Sequence, residues 1–210
     1  MKNGFEYDYD DTLPAFGTLN PITNRQYDKY KISNIKWVND PNGYIKLYRL
    51  PNTPEVTEYC IGGDTAGEGS DYFTGHVLDA KYGIQVAVLK QQMDSDLYSR
   101  QMYCLGMYYK QALMGIESNF DSFPIKELVR LGYPNIYIRE REDKLSGIKE
   151  KSYGFRTTSV TRPVIISNLV RVVRENVELI NDIDTLKEML MFVKNENGRA
   201  EAQEGEHDDL

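Results

Sequence analysis

Two acidic residues each end an apolar stretch that has the length and composition of a buried strand. The first is Asp64, which ends Tyr59–Asp64 ahead of a glycine-rich turn, and the second is Glu117, which ends the run 113–117. Glycines on both sides of Asp64 allow a sharp turn and let a ligand approach the backbone closely. If the two strands are neighbours, both carboxylates lie at one sheet edge, within reach of a shared divalent cation.

Paired carboxylates suit hard cations, because Mg²⁺ takes oxygen ligands and keeps several of its waters. Two such ions about 3.5–4 Å apart can activate water on one side of a phosphodiester and stabilise the leaving oxygen on the other. These residues therefore predict metal-dependent phosphodiester hydrolysis. A single strand-terminal acid is more often simply solvated, so the prediction depends on the two acids occurring together.

Hydrophobic spacing predicts the elements that position these acids. After Asp64, strands are predicted over 72–79 and 84–89, and their short connections require antiparallel neighbours. A helix over 95–110 then leads to the strand that ends at Glu117, which is predicted to lie parallel to the first strand. The other predicted elements are a hairpin of 35–38 with 44–48, helices over 123–131, 161–176 and 184–190, a strand over 135–138, a charged loop or hairpin over 139–156, and a strand pair around Asn197 and Gly198.

Composition and charge narrow the class of protein. The chain has 210 residues, 40% of them hydrophobic and 27% charged, which is typical of one main globular domain. We expect an N-terminal arm or linker remnant over 1–34 and the domain itself over 35–210. The net charge of −7 argues against a general polyanion binder, although clustered metal-binding acids add negative charge to a nuclease. Two cysteines and no bilayer-length apolar run predict a reduced, intracellular protein without a membrane segment.

The predicted order of elements is that of the ribonuclease H-like nuclease and integrase fold. This fold class is α/β, with a mixed central sheet whose strands one to three are antiparallel, helices on both faces and here an inserted charged β-hairpin. From roughly residue 44 to the end, the chain resembles the C-terminal nuclease domain of the large terminase subunit of tailed bacteriophages. The motifs that carry the resemblance are Gly63-Asp64 with Gly67-Glu68-Gly69-Ser70-Asp71-Tyr72, Met114-Gly115-Ile116-Glu117-Ser118-Asn119, Tyr153-Gly154-Phe155 with Thr161-Arg162-Pro163, and Gly205-Glu206-His207-Asp208-Asp209-Leu210.

The resemblance implies roles for individual residues. Asp64 would be the first metal ligand, Glu117 the second, and Asp208 or Asp209 the third, with two Mg²⁺ or Mn²⁺ ions as cofactors. Asp71 is either an accessory group or only a turn residue, and His207, beside the acid pair, is a candidate metal-adjacent or proton-handling group. Candidate contacts to DNA phosphates are Arg139, Arg141, Lys144, Lys149, Lys151, Arg156 and Arg162, although interleaved acids in 139–156 are equally typical of a solvated hairpin.

The implied function is an endonuclease that cleaves double-stranded concatemeric viral DNA during genome packaging, in the host cytoplasm at the procapsid. Implied partners are double-stranded DNA, the portal and the small terminase subunit. Large terminases place an ATPase ahead of the nuclease, and this chain has no G-x-x-x-x-G-K-[ST] phosphate loop. We therefore expect the nuclease part only, truncated after the terminal acid pair, with an upstream ATPase domain in the full-length protein. The alternatives are another ribonuclease H-like nuclease, of junction resolvase or transposase type, and a non-catalytic viral motor-docking domain.

Overall fold

The computed structural model describes residues 4–51, 58–66, 71–142, 149–194 and 200–202. The elements are β1 (Phe5–Tyr9), β2 (Ile32–Trp37), β3 (Ile45–Leu47), β4 (Tyr59–Asp64), β5 (Phe73–Asp79), β6 (Gln85–Gln91), α1 (Ser95–Tyr108), β7 (Leu113–Ile116), α2 (Phe123–Leu131), β8 (Ile138–Glu142), β9 (Lys149–Tyr153), α3 (Thr161–Glu175), a short 3₁₀ helix (Val177–Leu179), α4 (Ile183–Leu190), β10 (Phe192–Lys194) and β11 (Ala200–Ala202).

A five-stranded mixed sheet lies at the centre, with the strand order β3-β6-β5-β4-β7. Strands β4, β5 and β6 form the predicted antiparallel meander, because their connections are too short for a crossover. The chain then crosses through α1, and β7 pairs parallel to β4 with Gly63 opposite Ile116. The prediction that the two acid-ended strands are parallel neighbours is therefore confirmed.

One face of the sheet is apolar and is closed by α1. Ile61, Val77 and Ala87 are buried there, and Met102 of the helix is fully buried as well. A side chain at Gly75 would bring its Cβ to 2.6 Å from Sδ of Met102, so the glycine lets the helix approach the strand closely. The second helix, α2, packs against α1 and extends this layer.

The opposite face carries polar side chains, several of which contact α4 and the residue before it. Asp182, which precedes α4, is buried and accepts hydrogen bonds from the Tyr48 hydroxyl at 2.6 Å and from Lys46 Nζ at 2.9 Å. The backbone N–H and the hydroxyl of Thr185 donate to the same carboxylate at 2.8 and 2.9 Å. Burial raises the pKa of Asp182, but these hydrogen bonds outweigh it and hold the pKa below its usual range. The hydrogen bonds of Asp182 thus connect the start of α4 to Lys46 and Tyr48 at the edge of the sheet.

His76 of β5 lies on the same face as this network. Its Nδ1 lies 2.9 Å from Nε2 of Gln85, and Gln85 Oε1 in turn accepts the backbone N–H of Asp182 at 2.6 Å. The other ring nitrogen, Nε2, is buried and has no hydrogen-bond partner among the described residues. Burial lowers the pKa of His76 to about 4, so the ring is neutral near pH 7.

The described part of the N-terminal segment packs on the domain. Strand β1 pairs antiparallel with β2, and Phe5 and Ile32 are only 3% and 2% exposed. The side-chain amide of Gln101 in α1 accepts the Phe5 N–H at 2.8 Å and donates to the Phe5 carbonyl at 3.0 Å. The boundary predicted after residue 34 falls inside β2. The division of the chain into an arm and a domain otherwise stays a prediction.

The hairpin predicted between 35–38 and 44–48 is wrong. Strand β2 pairs with β1, whereas β3 pairs with β6 on the edge of the central sheet. The turn at 39–43 exists, because the Gly43 N–H donates to the Asp40 carbonyl at 2.9 Å, yet the two flanking strands join different sheets. Burial of β1 and β2 against α1 determines this pairing, which no local turn signal reports.

The remaining predicted elements agree closely with the structure. Helix α2 has the predicted bounds, α3 and α4 differ from prediction by one residue at one end, and β10 pairs with β11 as expected. The strand predicted over 135–138 is reduced to a single bridge between Met114 and Ile136, and Ile138 begins β8. Within the described ranges, no helix has the length and apolar character needed to cross a membrane.

Candidate functional site

The two predicted acids come together at one edge of the central sheet. Asp64 is the last residue of β4, and Glu117 directly follows β7. Because Gly63 lies opposite Ile116 in this parallel pair, Asp64 and Glu117 occupy the next positions on strands that are separated by about 4.8 Å. The Glu117 N–H donates to the Gly63 carbonyl at 2.8 Å, and both acids are partly buried. Their roles as metal ligands stay predictions.

A buried tyrosine of α1, Tyr98, lies near enough to Asp64 for the charge of Asp64 to act on it. The Tyr98 hydroxyl, which belongs to α1, donates to the Thr74 carbonyl at 2.7 Å and is fully buried. Burial, together with the negative charge of Asp64, raises the pKa of Tyr98 well above its ordinary value. The Thr65 N–H donates to Oδ1 of Asp64 at 2.8 Å and orients that carboxylate. Sequence reasoning missed Tyr98, since the helical spacing of its neighbours indicated only core packing.

A lysine lies on the same row of the sheet as Asp64. Asp64 is opposite Thr74 on β5, and Thr74 is opposite Lys90 on β6, so the three residues share one face. Lys90 forms an ion pair with Glu188 of α4, and its Nζ lies 4.7 Å from the centre of the Tyr72 ring. Sequence reasoning missed the Lys90–Glu188 pair because it joins residues 98 positions apart. It connects α4 to the end of the sheet that carries Asp64.

The Tyr-Gly-Phe motif lies directly beside Glu117. Phe155 forms a parallel bridge with Glu117, in which the Phe155 N–H donates to the Ile116 carbonyl at 2.8 Å. The Ser118 N–H completes the bridge by donating to the Phe155 carbonyl at 2.9 Å. The sequence singled out this motif, but the strand that it joins depends on the path of the chain after the β8–β9 hairpin.

The predicted charged hairpin is confirmed as β8 and β9, which pair from Ile138 opposite Tyr153 onward. Arg139 donates from Nη2 to the Ser152 hydroxyl at 3.0 Å, so part of its guanidinium is used inside the hairpin. The exposed Lys151 lies 3.2 Å from Glu140, which offsets its charge. The two pairs of opposite or matched polar groups that the structure describes in the hairpin therefore include acid as well as base.

The other predicted residues are distributed as follows. Arg141 lies on β8, Lys149 lies on β9, Arg156 is exposed directly after the Glu117 bridge, Arg162 is the second residue of α3, and Asp71 is partly buried ahead of β5. Four predicted residues, Lys144, His207, Asp208 and Asp209, lie outside the described residues. The roles of all nine as DNA contacts, accessory groups or ligands stay predictions.

The donor set that the structure brings together suits a hard divalent cation, because Asp64 and Glu117 both offer carboxylate oxygens. Within the described ranges, no group of three or more His, Cys, Asp or Glu residues could hold a metal ion. If a metal ion binds to Asp64 and Glu117, waters or a further acid must complete its coordination, and Mg²⁺ ordinarily keeps several waters.

Solved structures with the same fold are large terminase nucleases. The nuclease from thermophilic phage G20c is 21% identical over 81% of this chain and 84% of that chain, with a TM-score of 0.55. The same nuclease with bound magnesium gives 20% identity, the same coverage and a TM-score of 0.56. The large terminase nuclease domain of Thermus phage P74-26 is 22% identical over 81% of this chain and 82% of that chain, with a TM-score of 0.55.

These likenesses show that the chain has the mixed α/β, ribonuclease H-like fold of the large terminase nuclease domains. The prediction of fold class is therefore confirmed. No protein-family model matches the sequence, and the search of curated proteins finds no match. The fold is thus recognised from the arrangement of strands and helices, while about four fifths of the residues differ.

Proposed function

We propose that this chain is a divalent-metal-dependent endonuclease that cleaves double-stranded concatemeric viral DNA during genome packaging. The observation that carries the proposal is the placement of Asp64 and Glu117 at adjacent positions on two parallel strands, in the fold of the large terminase nucleases. The G20c nuclease has been solved with bound magnesium and with bound cobalt, which supports the use of a divalent metal here.

Asp64 and Glu117 would hold the metal through their carboxylate oxygens, and Asp208 or Asp209 would supply a third carboxylate. When bound, a pair of Mg²⁺ or Mn²⁺ ions supplies an activated water and Lewis acidity at the leaving oxygen. The chain itself keeps the ligands in place. The Thr65 N–H orients Asp64, and strand pairing fixes the backbone of Glu117. This preorganisation places the ligand charges before DNA arrives, which is what transition-state stabilisation requires.

The DNA contacts in this proposal come from the basic residues of the hairpin and the segment that follows it. Arg156 is exposed immediately after the residue that pairs with Glu117, so it lies at the same edge of the sheet as the acids. The net charge of −7 predicts weak, salt-sensitive binding by the isolated chain. An upstream ATPase domain, the portal and the small terminase subunit, acting at the procapsid in the host cytoplasm, would then hold the substrate.

Cleavage of supercoiled plasmid in Mn²⁺ tests the proposal. Replacing Asp64 or Glu117 by alanine should lower the rate about a hundredfold or more, because each removes a ligand that acts in the transition state. Asp28→Ala is the matched control, since it removes an exposed acid far along the chain from the site. Circular dichroism should show the same fold in all four proteins, and DNA affinity should change little.

Three outcomes would redirect the assignment. If neither wild type nor Asp64→Ala cleaves plasmid once contaminating nucleases are removed, the enzyme is refuted and a motor-docking domain is favoured, whereas equal cleavage by both would refute the role of Asp64. Faster cleavage of four-way junctions than of linear duplex, dependent on Asp64, would instead favour a junction resolvase.

A further inference from the structure

The backbone around Glu117 is held from both sides. On the β4 side, the Glu117 N–H donates to the Gly63 carbonyl at 2.8 Å. On the other side, Phe155 donates to the Ile116 carbonyl at 2.8 Å and accepts the Ser118 N–H at 2.9 Å, so its two hydrogen bonds bracket Glu117. Glu117 lies just beyond the end of β7, where a chain without such pairing has freedom in φ and ψ.

Side chains strengthen the attachment on the Phe155 side. The Ser118 hydroxyl donates to the Phe155 carbonyl at 3.0 Å, so that one carbonyl accepts two hydrogen bonds from Ser118. The amide of Asn119 donates to the Thr157 carbonyl at 2.8 Å. Ser118 and Asn119, which follow Glu117, are therefore hydrogen-bonded to the segment that follows the β8–β9 hairpin.

Gly154 has a backbone conformation and close contacts that only glycine accommodates easily. It directly follows β9, is buried and has a φ of +85°, which lies in the left-handed region that favours glycine. A Cβ here would lie 2.2 Å from Cδ1 of Ile125 and 2.9 Å from the Ile116 carbonyl oxygen. That oxygen is the acceptor for Phe155, so a side chain at 154 would press on the hydrogen bond beside Glu117.

We infer that Gly154, Phe155 and Ser118 are positioning residues for the Glu117 carboxylate, and that the affinity of the site for metal depends on how the β8–β9 hairpin is anchored. The inference rests on the proposed function, because it takes Glu117 as a metal ligand. Groups that hold a ligand in place, without touching the metal, typically contribute 10–100-fold to metal affinity. A single residue, Gly154, joins the hairpin to this attachment, so displacement of the hairpin is transmitted to Glu117.

The test is a titration with Mn²⁺ alone, in which electron paramagnetic resonance measures the free ion. Wild type is compared with Gly154→Ala, with Ser118→Ala and with Ser118→Thr, which keeps the hydroxyl. The matched control is Gly115→Ala on β7, where a Cβ would lie 3.7 Å from Cβ of Tyr137 and 3.9 Å from the Ile61 carbonyl oxygen, both ordinary contacts. Thermal melting of each variant reports whether it is folded.

We expect Gly154→Ala and Ser118→Ala to bind Mn²⁺ about 10–100-fold more weakly, while Ser118→Thr and Gly115→Ala remain near wild type. For Ser118→Ala, the Mn²⁺ concentration that gives half-maximal plasmid cleavage should rise in proportion, and the rate at saturating Mn²⁺ should be largely kept. A merely structural role for Ser118 would lower the melting temperature and leave the Mn²⁺ affinity of the folded protein unchanged.

Wild-type Mn²⁺ affinity in either folded variant, Ser118→Ala or Gly154→Ala, overturns the inference. If Gly154→Ala does not fold, the comparison of Ser118→Ala with Ser118→Thr decides by itself. Mn²⁺ binding by Glu117→Gln distinguishes failure of the proposed function from failure of the positioning role. Wild-type Mn²⁺ binding by Glu117→Gln would contradict the proposed function, whereas loss of binding there with normal binding by Ser118→Ala would refute only the positioning role.

Discussion

The burial of His76 should make this protein less stable as the pH falls below 6.5. Burial lowers the pKa of the folded histidine to about 4, from the ordinary value of 6.5. Between these two values the unfolded chain binds a proton that the folded chain does not, so the free energy of unfolding falls as the pH falls. Above pH 6.5 the ring is neutral in both states, and the full stabilisation is present.

The expected magnitude follows from the size of the shift. A difference between 6.5 and about 4 corresponds to roughly 3 kcal/mol over the whole window and to roughly 2 kcal/mol by pH 5. The physical origin is visible in the structure, because Nε2 is buried without a hydrogen-bond partner among the described residues and Nδ1 is occupied by Gln85. A charged ring would have to be accommodated there without solvent.

Urea denaturation between pH 7.5 and 5 measures the effect, with His76→Gln as the reference protein. Glutamine is neutral throughout and can still accept a hydrogen bond from Gln85. Asp182, Glu188 and Lys90, the charged groups that act on His76, are present in both proteins, so their own titrations largely cancel in the difference. Parallel curves of unfolding free energy against pH for wild type and His76→Gln would refute the reasoning.

Two further predictions concern stability, both measured by urea denaturation. Asp182→Ala should lower the free energy of unfolding by about 3 kcal/mol, because the buried carboxylate accepts four hydrogen bonds, whereas removal of Asp184, whose side chain is 44% exposed, should cost about 0.5 kcal/mol. Equal losses would contradict the role assigned to burial. Gly106→Ala should cost about 1–3 kcal/mol, since its Cβ would lie 2.2 Å from the Tyr133 hydroxyl, while Gly62→Ala meets nothing within 4 Å and should be tolerated. A stable Gly106→Ala protein would show that this contact relaxes easily.

Local pattern was sufficient for elements whose ends carry their own signals. Helix α2 has the predicted bounds, and both of its ends carry local signals, since Pro124 lies in its first turn and Gly132 follows it in the left-handed conformation. The meander was predictable for the same reason, since short turns leave antiparallel pairing as the only choice. The placement of Asp64 beside Glu117 also required that β7 lie parallel to β4. The helical connection through α1 was enough to predict that pairing.

The sequence by itself determined where most elements begin and end, and that two acid-ended strands are parallel neighbours at one sheet edge. Only the tertiary structure decided what each buried face packs against. It paired β2 with β1 instead of β3, joined Lys90 to Glu188 across 98 positions, and brought Phe155 alongside Glu117. The physical reason is that hydrophobic periodicity shows which face of a helix or strand is buried. Which other element packs on that face depends on burial and hydrogen bonding summed over the whole domain.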